Sequence, residues 1–464
     1  MKECKVFPEG VRLKALFVFA LSCLVYLFYF SKIKPGLYSR DVLDYINNSF
    51  CINNVQNYFR AYFWENLSVS VFHVSYVLFF YSLTKNLIAL GLFQVFLSSA
   101  VNAYSWFILR KFSKAWVAWA VVILLILSPL NGVMTMWYHR SSLFAYLVFL
   151  NLVLLYKLSK ARSFNKPETA VFLINLLFLA FLRLDGIIIS FISLLMYIRL
   201  SQDRRRVKAG IIAGYILLIS VYYFIPRQDK CSFYIVLPFK YQVRRIHQST
   251  GSGFSNEDQR ILKGIVKDES GRKTWLEEGG WAYQERARGI FPNVVTTRES
   301  GDFIKWSGLY ILKHFAHYAK TQGEVFWAGC LDTDYFNINA LYENIRYYKE
   351  PIEQPGVDYT HNNSGFIIRI KSLFSSDVPR ASLLRALLFG AFVPFIFLFV
   401  CLMAVLVRRK NKSILIPLVP LLSYAVCIFF AQPVPKAYYW YWLVYSYSFV
   451  VIAFGYEAFS SNET

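Results

Sequence analysis

A chain of 464 residues that is 56% hydrophobic and 19% aromatic is more apolar than a soluble fold, which runs nearer about 45–50%. Lys and Arg (50) exceed Asp and Glu (28), for a net charge of +22, which on a soluble protein would point to nucleic acid. The apolar residues instead gather in uncharged runs of about 15–23 residues, the length a helix needs to cross a hydrocarbon core, and the basic residues gather between them. A lipid bilayer is therefore the expected partner and nucleic acid is set aside.

The first run, residues 13–31, is too long for a signal h-region and lacks a small-residue cleavage site, so it reads as the first membrane helix. A first outer loop over 32–85 follows. It contains the run 67–83, with Ser68, Ser70, His73 and Ser75 inside it and Asn66 before it, and this run reads as re-entrant or interfacial. Further runs lie at 87–109, 115–129, 143–156, 169–182, 186–198, 209–226, 386–407, 413–431 and 438–456. The segments 2–14, 110–114, 157–166, 199–208 and 408–412 are short and basic, and the positive-inside rule places them in the cytoplasm. An even number of crossings must separate any two of them. With 67–83 demoted, about ten crossings satisfy that condition and return both termini to the cytoplasm. The rival count is about eleven, with the C-terminus outside.

The expected fold class is thus an all-α polytopic transmembrane bundle of about ten helices with a mainly helical extracytoplasmic domain. Its parts are an N-terminal membrane module (1–226), an extracytoplasmic soluble domain (227–385) and C-terminal membrane helices (386–464). A short outer loop is expected at 130–142. Within the soluble domain, helical patterns occur at 255–266, 302–329 and 335–348, and Ser255 with Asp258 forms a capping signal. The seven cysteines include no Cys-x-x-Cys, which argues against zinc or redox work, although Cys231 and Cys330 could pair in an oxidising compartment.

Chemistry-bearing residues concentrate at the expected outer mouth. Asp41 and Asp44, three apart on a helical turn, share a face. A carboxylate beside a low-dielectric wall can reach a useful general-base pKa, whereas the plain alternative is an N-cap with a solvated acid. His139 and Arg140, flanked by Trp137 and Tyr138, suit an interfacial phosphate, or equally an aromatic belt with a snorkelling Arg. Arg183 and Asp185 interrupt an otherwise uncharged stretch. They read as a turn pair, or as a basic residue for an anionic lipid head group. Asp332 with Asp334, and His314 with His317, have spacings that could bind a divalent metal. A lone Asp-x-Asp is common, however, and the histidines suit a membrane-apposed amphipathic helix better. The aromatic run 438–442 is expected to close the outer mouth. No nucleotide-binding loop, Gly-x-Ser-x-Gly or His-Glu-x-x-His is present.

The order of these pieces resembles the GT-C membrane glycosyltransferases, within them a bacterial branch of large envelope proteins. The likeness rests on the early acids Asp41 and Asp44, on Ser128-Pro129 leading to Trp137–Arg140, and on Arg183-Leu-Asp-Gly186. It also rests on Pro238 followed by Gln242-Val-Arg244-Arg245, and on the stretch 306–327 with Lys313-His314 and Tyr318. His139-Arg140 stands where the family often carries an acidic pair, which favours a metal-independent mechanism, so no cofactor is expected. The resemblance implies transfer of a sugar from a polyprenyl-phosphate donor to an envelope glycan acceptor on the outer face of the plasma membrane. Asp41 or Asp44 would be the base, and His139, Arg140, Arg183, Arg244 and Arg245 would hold the lipid phosphate. The rival implication is a polysaccharide polymerase or a glycan transporter.

Overall fold

A computed structural model of the protein describes residues 9–33, 71–84, 87–183, 185–202, 205–224, 230–232, 237–251, 254–265, 294–331, 391–408, 415–431 and 440–459. Helix dominates them. The first half holds α1 (Glu9–Ile33), α2 (Val71–Thr84), α3 (Ile88–Phe112), α4 (Ala115–Leu127), α5 (Pro129–Thr135), α6 (Arg140–Ala161), α7 (Lys166–Leu182), α8 (Gly186–Leu200) and α9 (Arg205–Phe224). Then come β1 (Lys230–Ser232), α10 (Leu237–Thr250), α11 (Asn256–Ile265), β2 (Val294–Thr296), α12 (Thr297–Lys313) and α13 (Phe315–Leu331). The chain closes with α14 (Phe392–Arg408), α15 (Leu415–Ala431), α16 (Tyr441–Tyr445), a π-helical turn (Phe449–Phe454) and α17 (Gly455–Phe459).

Three helices, over Gly10–Lys32, Ile88–Phe112 and Arg140–Ala161, are long and apolar enough to cross a membrane, and the bent pair α4–α5 makes four if it is one span. Their burial differs in a telling way. The apolar stretch of α6 is 94% buried and that of α1 only 28%, so α6 is the axis of the bundle and α1 its rim. Leu13, Leu16, Phe17, Leu24 and Phe28 on α1 are all more than half exposed, and Leu217 on α9 is too. Apolar stripes of this extent are foreign to a protein surface in water and suit a hydrocarbon solvent.

Local chemistry sets the helix boundaries. Asn165 and Glu168 form a reciprocal capping box at the start of α7, at 2.9 and 3.0 Å, with a proline in its first turn. Pro129 stands at the end of the run 115–129. It has no N–H to offer the Leu125 carbonyl one turn back, so the chain bends by 60° between α4 and α5. The orphaned oxygen instead accepts from Asn131 Nδ2 at 3.1 Å and Tyr26 Oη at 3.4 Å, while Ser128 caps α5. The expected outer loop 130–142 thus has a regular conformation. It is mostly helix, and Leu130, Met134 and Met136 are fully buried, because side-chain donors satisfy the backbone that the proline released.

Basic residues collect at one end of the bundle. Lys160 pairs with Glu457 at 2.6 Å, Tyr156 bonds both Glu457 and Ser113, and Lys114 lies 5.9 Å from the Tyr456 ring. Gln202 donates to the Arg162 carbonyl at 3.1 Å, and Lys157 pairs with Glu168. The first half of α1 reaches the same end, through Phe17 on Trp119 at 6.4 Å and Trp119 on Trp106 at 5.2 Å. The ring contacts of α2 stay at the opposite end. Phe72 meets Phe178 near the end of α7, and Tyr76 and Phe80 meet Phe93 near the start of α3.

A small second core is formed where α10, α11 and α12 pack through Val243, Ile246, Leu262, Phe303, Trp306 and Tyr310. The β1–β2 ribbon, antiparallel with Lys230 opposite Thr296, ties the chain ahead of α10 to the start of α12. The stretch 302–329, expected as one helix, divides at His314 into α12 and α13. The expected helix 335–348, the pair Asp332 and Asp334, and the side chains of Cys231 and Cys330 lie outside the described residues.

The Ser255–Asp258 capping signal is realised. Asp258 N donates to Ser255 Oγ at 3.2 Å and Ser255 N to Asp258 Oδ2 at 2.9 Å, while Trp306 Nε1 donates to Asp258 Oδ1 at 2.6 Å. Partial burial works against ionisation, but the bonds from Trp306 and Ser255 outweigh it and hold this carboxyl below its ordinary value of 3.8. A carboxylate depressed by folding contributes stability above its unfolded pKa and loses it only as pH falls through the lower folded value. The docking of α11 on α12 is thus expected to hold from neutral pH down to the ordinary Asp range and to loosen only below it. In Asp258→Asn this acid dependence should vanish. The 19F resonance of fluorotryptophan at Trp306, assigned with Trp306→Phe, reads both outcomes.

Candidate functional site

The Arg-Leu-Asp-Gly turn between α7 and α8 lies at the end of the bundle away from the basic loops. Arg183 is 9% exposed. Its Nε donates to Asp185 Oδ1 at 2.9 Å and its Nη2 to Asp185 Oδ2 at 2.8 Å, a two-pronged pair, and Tyr424 Oη donates to the same Oδ2 at 2.9 Å. The third arm, Nη1, donates to Ser141 Oγ in the first turn of α6 at 3.2 Å. The guanidinium also sits 5.2 Å from the Phe144 ring centroid. The Arg183–Asp185 pair therefore joins α6, α8 and α15 at a single point. Gly186 makes this possible, since a Cβ there would collide with the Leu179 carbonyl and come within 2.9 Å of the Phe144 ring.

His139 and Arg140 stand beside this turn. His139 caps α6, its Nδ1 accepting from Ser141 N at 3.2 Å, and its ring stacks on Trp137 with centroids 4.4 Å apart. Arg140 opens α6 and is half-buried. It interacts electrostatically with Asp185, His139 and His73, the last on α2. The first turns of α6 and α8 thus converge, and Arg183 bridges them. The positive ends of two helix dipoles, each about half an elementary charge, meet there. Arg183 pairs with Asp185, and Arg140 and the two dipoles add positive charge beside that pair. This arrangement favours an anion.

The second sequence-predicted group, Arg244 and Arg245 on α10, sits at the same end of the bundle. Arg245 Nη1 donates to Gln322 Oε1 on α13 at 3.1 Å. Burial, then the neighbouring Arg244, pushes the Arg245 guanidinium down to about 10, which leaves it cationic at neutral pH. The Phe430 carbonyl at the tip of α15 accepts from Gln242 Nε2 and from Tyr318 Oη, the latter at 3.1 Å. Phe430 is six residues beyond Tyr424, about 9 Å along the helix. Both cationic groups are thereby carried on the same end of α15.

Asp41 and Asp44, the candidate bases, lie outside the described residues. Asp185 cannot stand in for them, because both of its oxygens are engaged by Arg183 and Tyr424. Of the aromatic run 438–442, expected to close the mouth, residues 440–442 are described. Trp440, Tyr441 and Trp442 are buried at 0–2% exposure, Trp440 against Phe326 and Trp442 against Tyr424, so they plug the bundle rather than line an entrance. Among the described residues no three His, Cys, Asp or Glu side chains gather as metal ligands. His314 rests near Tyr310 and His317 near Ser249. Sequence reasoning missed Ser141, Tyr424 and Gln322. Only Ser141, adjacent to His139-Arg140, carried a local signal.

Compared with protein-family models, with curated proteins and with solved structures, the chain finds no match in any of the three, so its role is read from these residues themselves.

Proposed function

We propose that the protein is a membrane glycosyltransferase of GT-C type, moving a sugar from a polyprenyl-phosphate donor to an envelope glycan or other acceptor on the outer face of the plasma membrane. The observation that carries this reading is the junction of the α6 and α8 N-termini, bridged by Arg183 and flanked by Arg140, at the end of a membrane bundle opposite its basic loops. A lipid phosphate leaving the anomeric carbon develops its charge at the membrane interface, and a fixed cluster of donors there stabilises it. In this reading the basic end is cytoplasmic, the chain crosses about ten times, and both termini face the cytoplasm.

The chemistry divides among named residues. Asp41 or Asp44 takes the proton of the acceptor hydroxyl as that oxygen attacks the anomeric carbon. The bond to the phosphate oxygen breaks, and its electron pair leaves with the lipid phosphate. Arg140, in the first turn of α6 beside the Arg183 bridge, is the first candidate for that phosphate. Arg183 holds α6 and α8 in register, and Arg244 and Arg245 receive the outer part of the head group. The donor is already activated, so no nucleotide site is needed.

The test is a comparison of envelope glycans and polyprenyl-linked intermediates, by mass spectrometry, in cells carrying Asp41→Asn, Asp44→Asn or Arg140→Ala. One of the two Asp variants is expected to abolish transfer and accumulate the lipid-linked donor. Arg140→Ala is expected to lower it by about two to three orders of magnitude, as loss of one oxyanion donor does. Unchanged glycan in both Asp variants would sink the mechanism. Lengthened or shortened chains, with transfer of single sugars intact, would favour a polymerase.

A further inference from the structure

Outside the anion site, the largest exposed apolar feature of the second core among the described residues is the turn between α12 and α13. Leu309, Leu312 and Phe315 are 60%, 70% and 52% exposed. Leu309 and Leu312 lie on the outward stripe of α12, opposite the buried Phe303, Trp306 and Tyr310. Earlier on that stripe stands the exposed Lys305, and Lys313 and Lys320 are exposed on either side of Phe315. No Asp or Glu occurs between Asp302 and Glu324.

The position of α13 places this turn. Tyr318 stacks on Phe430 and Phe326 meets Phe429, so points about 12 Å apart on α13 reach adjacent residues at the tip of α15. A helix that touches another in this way lies across its end, at the level where the bundle leaves the bilayer. Towards the other end of α13, Trp327 is 41% exposed beside Phe395. Phe395 opens the face of α14 on which Ile396, Phe399 and Val400 are exposed. The apolar surface of α13 is thus continuous with the lipid-facing belt.

We propose that the α12–α13 turn inserts Leu309, Leu312 and Phe315 into the bilayer leaflet at this end of the bundle, with Lys305, Lys313 and Lys320 on anionic lipid phosphates. A basic amphipathic surface with large apolar side chains binds an interface in this manner. The contact holds the second core, and with it Arg244 and Arg245, against the membrane. The inference rests on the bundle lying in a bilayer and not on glycosyl transfer.

The experiment places the photo-cross-linker p-benzoylphenylalanine at position 312, at 315, or, as a water-facing control, at the exposed 257, in the full-length protein. Each variant is reconstituted into vesicles of phosphatidylcholine with or without phosphatidylglycerol, irradiated, and analysed by mass spectrometry. Lipid adducts at 312 and 315 but not 257, in higher yield with phosphatidylglycerol, are expected. Cross-links to another segment of the chain or to a second copy would overturn the proposal, as would no adduct at 312 and 315. A yield indifferent to phosphatidylglycerol would overturn the head-group contact. Because both positions are exposed, the variants should elute like wild type on size exclusion, and glycan transfer can be followed separately.

Discussion

Asp185→Ala is expected to destabilise the protein by about 3–5 kcal/mol, because it leaves the buried Arg183 guanidinium without its counter-charge. The substitution removes both prongs of the pair and also the acceptor of the Tyr424 hydroxyl. Arg183→Met should be nearly as damaging, since it strands Asp185 against Tyr424 and frees Ser141 from α8. The double variant Arg183→Met/Asp185→Leu removes both charges together and is expected to recover much of the lost stability, as apolar replacements of buried pairs do. A thermodynamic cycle from thermal unfolding in detergent would show this as strong coupling between the two positions. Under the proposed function, glycan transfer in the double variant should remain impaired, because the Arg183 bridge between the first turns of α6 and α8 is then gone. Additive effects of the two substitutions, or full transfer by the double variant, would refute the bridge. Asp185→Asn is the milder probe, since it can still accept from Tyr424 while losing the charge.

Gly186→Ala is expected to be as severe by a different route. Its added methyl would occupy the space of the Leu179 carbonyl oxygen, a backbone atom that cannot rotate away. Relief requires the α7–α8 hairpin to open, which also displaces Phe144 from beneath Arg183. Overpacking typically costs about 1–3 kcal/mol, and a fixed backbone atom puts this case at or above the upper end. Aggregation on size exclusion, or a large fall in the thermal midpoint, is the expected reading. Gly210→Ala and Gly214→Ala are the contrast. Both glycines lie in α9 with open space where a Cβ would be, so each should gain up to about 1 kcal/mol in helix propensity. If Gly186→Ala behaved like these two, the close approach of α7 to α8 would be wrong.

Hydropathy and charge carried the architecture because both act locally. A run of apolar residues must be helical in hydrocarbon whatever its neighbours are, and basic residues mark a helix end without reference to tertiary packing. The prominence of the Arg-Leu-Asp-Gly turn was visible for the same reason, since charge is costly in an apolar stretch wherever that stretch packs. Ser255 and Asp258 announced the start of α11, and Pro129 the break between α4 and α5, through bonds spanning a single turn.

What the pattern could not convey are contacts set by the packing of distant helices. Tyr424 is one hydroxyl in an apolar run, 239 residues from the carboxylate it serves. Gln242 and Tyr318 find their shared acceptor only because α10 and α13 both meet the tip of α15. The run 438–442 was expected to close the outer mouth, and that its residues Trp440, Tyr441 and Trp442 are buried depends on which helices close over them. By itself, then, the sequence determined a membrane bundle, its basic loops and a costly Arg-Asp turn. Only the tertiary structure decided that Arg183 is neutralised by Asp185 and acts as a clasp between α6 and α8, because that outcome needs three helices to meet at one point.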